Sequence, residues 1–99
     1  MTFADGIATR APNADAIGII CRGAARIVMV TEDEIAEAMR AYYDDTHQVT
    51  EGAGAAPLAA LLSERGRMSN RTVGLVLSGG NIERARFLAV LGGSTPQAG

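Results

Sequence analysis

The chain has 99 residues, of which 47% are hydrophobic and 20% charged, with a formal net charge of -2. That composition describes one small globular domain or a piece of a larger one, not a disordered or collagen-like chain. The acidic balance argues against a nucleic-acid partner, and no apolar run approaches the ~20 residues of a membrane helix. Cys21 is the single cysteine, so an internal disulfide is excluded. Met1–Gly6 lacks the basic start and apolar stretch of a secretory leader. A cytoplasmic chain without membrane or nucleic-acid partners is therefore expected. All nine basic residues are arginine and none is lysine, so these residues cannot supply a Schiff-base lysine.

The first ten residues show a turn at Asp5-Gly6 and no clear period. Pro12 then opens a helix over residues 13–22, with Asn13 as N-cap, Gly23 as terminator and Cys21 on the apolar stripe, where a core role is expected. Residues 26–30, Arg-Ile-Val-Met-Val, read as a short buried strand. Thr31-Glu32-Asp33-Glu34 has the form of a capping box, and Ile35, Ala38, Met39, Tyr42 and Thr46 follow at helical spacing, so residues 32–46 should be one helix with one buried face. Its three leading carboxylates suit the helix dipole better than a metal ion. His47 leads out of that helix, and its place near the C-terminus suggests a surface group that complements the dipole.

Glu51-Gly52-Ala53-Gly54 is expected to be a tight loop, followed by a helix over residues 55–64 with Pro57 in its first turn. Residues 65–71 form a polar connection. Residues 72–77, Thr-Val-Gly-Leu-Val-Leu, are the strongest strand signal, apolar on both faces as in a covered parallel sheet. Ser78-Gly79-Gly80-Asn81 follows, then a helix over 82–91 with Glu83 in its first turn. The tail, residues 93–99, is expected to be disordered. Helices alternating with strands predict an α/β fold with a parallel sheet, and two strands are too few to complete one.

Two segments could carry chemistry. Ligands of open α/β sheets bind beyond the carboxyl ends of strands, where Ser78 would project its hydroxyl and Gly79 and Gly80 would let backbone approach a ligand. A plain tight turn explains the same residues equally well. No phosphate-binding Gly-Lys-Ser/Thr follows. Glu51, just before glycines and a helix start, could face a ligand or could simply complement the helix dipole. No His/Cys spacing suggests a metal site.

Four stretches occur in one order and at one set of spacings: Thr2–Ala8, Val30–Ile35, Asp45–Ala56 and Leu75–Ile82. Together they resemble the C-terminal third of threonine/serine dehydratases (threonine ammonia-lyases), pyridoxal-phosphate enzymes of the tryptophan-synthase-β type related to serine racemase. The resemblance covers residues 2–92. It implies a three-layer parallel-sheet fragment of a fold type II enzyme, with residues 1–92 forming part of the catalytic domain. It also implies pyridoxal 5'-phosphate as cofactor and an amino acid as substrate. Ser78 would hydrogen-bond the pyridine nitrogen, Gly79 and Gly80 would lie close to the ring, and Glu51, Asp5 and Gly6 would line the same cleft. Asn81 matches a position near a nucleotide-effector site in some relatives.

The family's Schiff-base lysine, its glycine-rich phosphate loop and its acidic metal site lie upstream of the matched region and have no counterpart here. Hence no catalytic residue and no metal ligand is expected within the chain, and the chain alone is expected to be inactive. Its expected partner is an upstream segment or a second copy. The alternative is a non-enzymatic α/β piece that binds such a half or a paralogue.

Overall fold

The computed structural model describes residues 1–97. The expectation for residues 93–99 thus falls in part on Ala98 and Gly99, which lie outside the described residues. The backbone forms a short 3-10 turn at Asp5–Ile7 and four helices: α1 (Ala14–Gly23), α2 (Glu32–Thr46), α3 (Gly52–Ser63) and α4 (Arg84–Leu91). They occupy a slab measuring 40 × 37 × 18 Å, so the molecule is about two helices thick. Among the described residues no helix is long and apolar enough to cross a membrane.

The expected α/β fold, a three-layer parallel sheet, is overturned: among the described residues there is no strand. Residues 26–30 and 72–77 have strand-like composition but pair with nothing. No backbone hydrogen bond engages residues 25–30 or 72–78 among the described residues. Composition can favour an extended backbone, but a strand exists only through its ladder to a neighbour. Without that ladder, Ile27, Met29 and Val76 stand 75%, 87% and 75% exposed.

The helix α2 follows its sequence closely. Thr31 is its N-cap, and the Thr31 Oγ1 accepts the Glu34 N–H at 3.1 Å. The reciprocal half of the capping box does not form, and the Glu34 Oε2 is buried without a partner. Glu32 instead turns to the N-terminal segment, where its Oε2 accepts the Phe3 N–H at 3.1 Å. On the other side of the same turn, Thr95 Oγ1 donates to Asp33 Oδ1. The helix ends at His47, which takes the left-handed conformation (φ 58°) and whose N–H donates to the Tyr43 carbonyl at 2.9 Å. The His47 ring also stands edge-on to Tyr43, which in turn packs edge-on against Phe87 of α4.

The core lies where α2 meets α3. Ile35, Ala36, Ala38 and Met39 of α2 pack with Ala55 and Ala59 of α3, Phe3 and Ala4 of the N-terminal segment, and Val90 of α4. Arg40 Nη1 donates to the Val90 carbonyl at 3.0 Å and so pins the end of α4 to α2. Most of these core residues are alanines, which lets helix axes approach closely at little side-chain entropy cost.

Three local expectations need correction. The loop at residues 51–54 is already helical: α3 begins at Gly52, with Glu51 as N-cap, so Pro57 lies in the second turn and not the first. Gly52, Ala53, Gly54 and Ala55 are all buried, and tertiary packing of small residues here outweighs the poor helix propensity of glycine. Cys21 is exposed and not in the core, because none of the α1 residues is buried. Finally, α4 starts at Arg84, two residues later than expected, with Glu83 at the N-cap position but no capping hydrogen bond from its side chain.

Candidate functional site

The start of α3 is where the chain folds back on itself most tightly. Thr50, fully buried, precedes the N-cap Glu51. The Glu51 N–H donates to the Gly79 carbonyl at 3.1 Å, bringing the Ser78-Gly79-Gly80 loop onto the N-terminus of α3. The Thr50 Oγ1 approaches the Glu51 carbonyl at 2.8 Å and the Gly79 carbonyl at 3.3 Å. The Glu51 carbonyl meanwhile accepts the Ala55 N–H at 3.2 Å, the first hydrogen bond of the helix.

Glycines at four positions mark this closeness. A methyl group on Gly54 would come within 2.5 Å of the Gly79 carbonyl and 2.8 Å of Thr50 Oγ1. One on Gly80 would come within 2.5 Å of the Val49 carbonyl, and one on Gly79 would overlap the Glu51 carboxylate. On Gly6 it would meet the Ala53 methyl at 2.9 Å, with Glu51 Oε2 at 3.8 Å. The structure therefore gathers Gly6, Glu51, Gly79 and Gly80 around one point. At Gly6, Gly54 and Gly80 glycine is demanded by contact of chain with chain, a different reason from the ligand approach expected of the sequence; at Gly79 only the mobile end of Glu51 would have to shift.

Ser78 stands at the exposed edge of this cluster. Glu51 also borders a cleft of about 230 Å³ lined by Phe3, Asp5, Glu51, Gly52, Asn81, Ile82, Glu83 and Arg86, to which Ser78 does not contribute. Three carboxylates against one guanidinium make the cleft acidic, which suits a cationic or neutral group better than a phosphate. Among the described residues no group of three His, Cys, Asp or Glu side chains is placed to hold a metal ion. Thr50 is the participant that sequence reasoning missed. It reads as the residue leading into a glycine-rich turn, and only its burial between two backbone segments marks it.

With this geometry in view the family can be stated. Residues 1–79 match the model of the pyridoxal-phosphate dependent enzymes, and the chain belongs to that family. It is 48% identical over 84 residues to the L-threonine ammonia-lyase of Geobacter sulfurreducens, covering 84% of this chain and 21% of that protein. It is 43% identical over 67 residues to a putative threonine dehydratase of Sinorhizobium fredii, covering 68% and 20%. It is also 34% identical over 95 residues to the catabolic L-threonine dehydratase TdcB of Staphylococcus aureus, covering 91% and 27%. The chain thus spans about a fifth to a quarter of the length of these relatives.

The side chains here suit one edge of pyridoxal phosphate and not the rest of it. The exposed Ser78 hydroxyl, next to two residues without side chains, can meet a ring nitrogen. No lysine is present to take the aldehyde, and the acidic cleft offers no cradle for the phosphate.

Proposed function

We propose that these residues form one wall of the cofactor site of a pyridoxal-phosphate-dependent L-threonine/L-serine dehydratase, converting threonine to 2-oxobutanoate and ammonia or serine to pyruvate and ammonia. The observation that carries this reading is the convergence of Gly6, Glu51, Gly79 and Gly80 beside the exposed Ser78 at the start of α3. The names of the relatives supply the reaction class. The cofactor, when bound, supplies an electron sink for the pair released at the substrate's α-carbon. Ser78 would offer its hydroxyl as a hydrogen-bond donor to the ring nitrogen and keep its proton. Such a neutral donor, unlike a carboxylate, would not hold that nitrogen protonated, which would suit β-elimination better than deeper carbanion chemistry. Glu51 and the backbone of Gly79 and Gly80 would flank the ring.

The lysine and the phosphate cradle must come from outside these 99 residues, whether from the same polypeptide or another. The chain by itself is therefore inactive. One neutral hydrogen bond from Ser78 contributes about 0.5–1.5 kcal/mol net, which is far short of the ~8 kcal/mol of a micromolar complex. A soluble cytoplasmic setting agrees with the single cysteine. A second copy of the chain, or the lysine-bearing remainder of such an enzyme, is the partner.

The test is reconstitution. The chain is mixed with the lysine-bearing remainder of the Geobacter sulfurreducens relative, lacking the part that this chain matches, and 2-oxobutanoate formation from L-threonine is followed. Turnover that depends on both pieces supports the reading, and Ser78→Ala should slow it while the cofactor stays bound. A stable complex without turnover would favour the alternative, an interaction module without catalysis. Cofactor retained by the chain alone after dialysis would overturn the reading that these residues cannot hold it without the lysine and phosphate cradle.

A further inference from the structure

We propose that Thr50 is a positioning residue, whose buried hydroxyl fixes the Ser78-Gly79-Gly80 loop to the start of α3 and so sets where the Ser78 hydroxyl is presented. The inference deepens the dehydratase reading above and rests on it for the role of Ser78. The geometry itself is independent of any ligand.

Thr50 has no exposed surface, and a buried hydroxyl must satisfy its proton within the protein. It carries one proton and faces two carbonyls, those of Glu51 at 2.8 Å and Gly79 at 3.3 Å. Each carbonyl already accepts a backbone N–H, from Ala55 and Glu51 respectively. The hydroxyl therefore joins two hydrogen-bonded units, the first turn of α3 and the 78–80 loop. Beside the Glu51 N–H bond to Gly79, the Thr50 hydroxyl is the second tie between them, and residues 72–78, on the approach to the loop, make no backbone hydrogen bond among the described residues. Gly54 completes the arrangement, since any side chain there would strike both Thr50 Oγ1 and the Gly79 carbonyl. The loop's position is thus set from the α3 side, through Thr50 and Glu51, and Ser78 is the residue immediately before the clamped one.

Thr50→Val keeps the shape and removes the proton, while Thr50→Ser keeps the proton. Hydrogen exchange of the peptides spanning 49–55 and 78–82 is read on the chain itself. Thr50→Val should speed exchange there about tenfold, the consequence of one lost buried hydrogen bond, and leave α2 unchanged. Thr50→Ser should recover most of that protection. In the reconstituted enzyme, Thr50→Val should lower kcat about tenfold with the KM for threonine within about twofold, as expected when a bound group is misplaced rather than lost. Its cost should vanish in a Ser78→Ala background, because a residue acting through Ser78 has nothing left to position.

Unchanged exchange at 78–82 in Thr50→Val overturns the clamp whether or not any activity is reconstituted. Altered exchange together with an undiminished kcat cost on top of Ser78→Ala overturns the action through Ser78. If the wild-type mixture shows no turnover, the dehydratase reading fails, while the exchange result still decides the clamp.

Discussion

Met29 and Met39 stand ten residues apart in the chain and in opposite environments: Met29 is 87% exposed and Met39 is fully buried. The same contrast divides the molecule. One region, α2 with α3, α4 and the N-terminal segment, buries its apolar side chains around Met39 and carries the candidate site. The other, α1 with the extended residues 26–30 and 72–77, is as apolar in sequence yet leaves Ile17, Ile19, Ile20, Ile27, Met29 and Val76 in solvent. The open region is no less apolar than the packed one; what differs is whether a partner surface lies within the chain. An apolar stripe stabilises a fold only when something is present to cover it.

The sharpest test compares the two methionines. Met39→Ala should destabilise by about 2–5 kcal/mol, the range for a large-to-small change in a packed core, whereas Met29→Ala should fall within about 0.5 kcal/mol of neutral. Urea titration of each variant reads both numbers, and equal costs would erase the distinction between the regions. Next in size is Gly54→Ala. Its methyl group would press on the Gly79 carbonyl and Thr50 Oγ1, neither of which can withdraw without breaking the contact of loop and helix. A loss of about 1–3 kcal/mol is expected, seen as a lower thermal midpoint. Gly74→Ala is the control, because nothing lies within 4 Å of its added methyl.

A smaller effect belongs to the cap. Thr31→Ala should cost about 1 kcal/mol and leave any reconstituted turnover nearly intact, since Thr31 touches no part of the site. A large loss of turnover at unchanged stability would assign Thr31 a different role. The smallest effect lies at the edge of the open region, where Arg26 Nη2 bonds Glu64 Oε2 at 2.9 Å. That hydrogen bond, with the positive charge behind it, holds the Glu64 carboxyl below its ordinary range. A lowered folded-state value means that the link stabilises above the unfolded pKa, about 4.3, and is lost as pH falls through the folded one. The Arg26 guanidinium resonances should therefore be pH-independent at neutral pH and shift only as pH falls below the ordinary glutamate range. In Glu64→Gln that shift should disappear.

How much of this could be read beforehand depends on how local the cause is. The helix α2 was legible because its cap and its buried face lie within fifteen consecutive residues. The start of α3 was not: Gly52-Ala53-Gly54 has the propensity of a loop, and it is helical because Ala4, Phe3 and Gly79 press against it from distant parts of the chain. Residues 26–30 and 72–77 failed for the complementary reason, since their composition names a strand but the ladder that makes one has no partner here. Cys21 was placed in a core by its helical spacing, and α1 has no core to join. Of the site, Gly6, Glu51, Gly79 and Gly80 were reached through their resemblance to a family. Thr50 was not reached at all, because nothing in its neighbours' identities signals burial.

The first turn of α2 has a further consequence when the chain is viewed as a string. Glu32 holds Phe3 across a separation of 29 residues, and Asp33 holds Thr95 across 62. Two loops of very different length therefore hang from adjacent residues of one helical turn. Closing the longer costs only about 0.6 kcal/mol more than closing the shorter, because the entropy rises with the logarithm of length. Fraying of that single turn would cut both links together, while Phe3 and Ala4 stay packed in the core. A dye near residue 95 should then report the unwinding of the start of α2, while one near residue 3 stays held by the core.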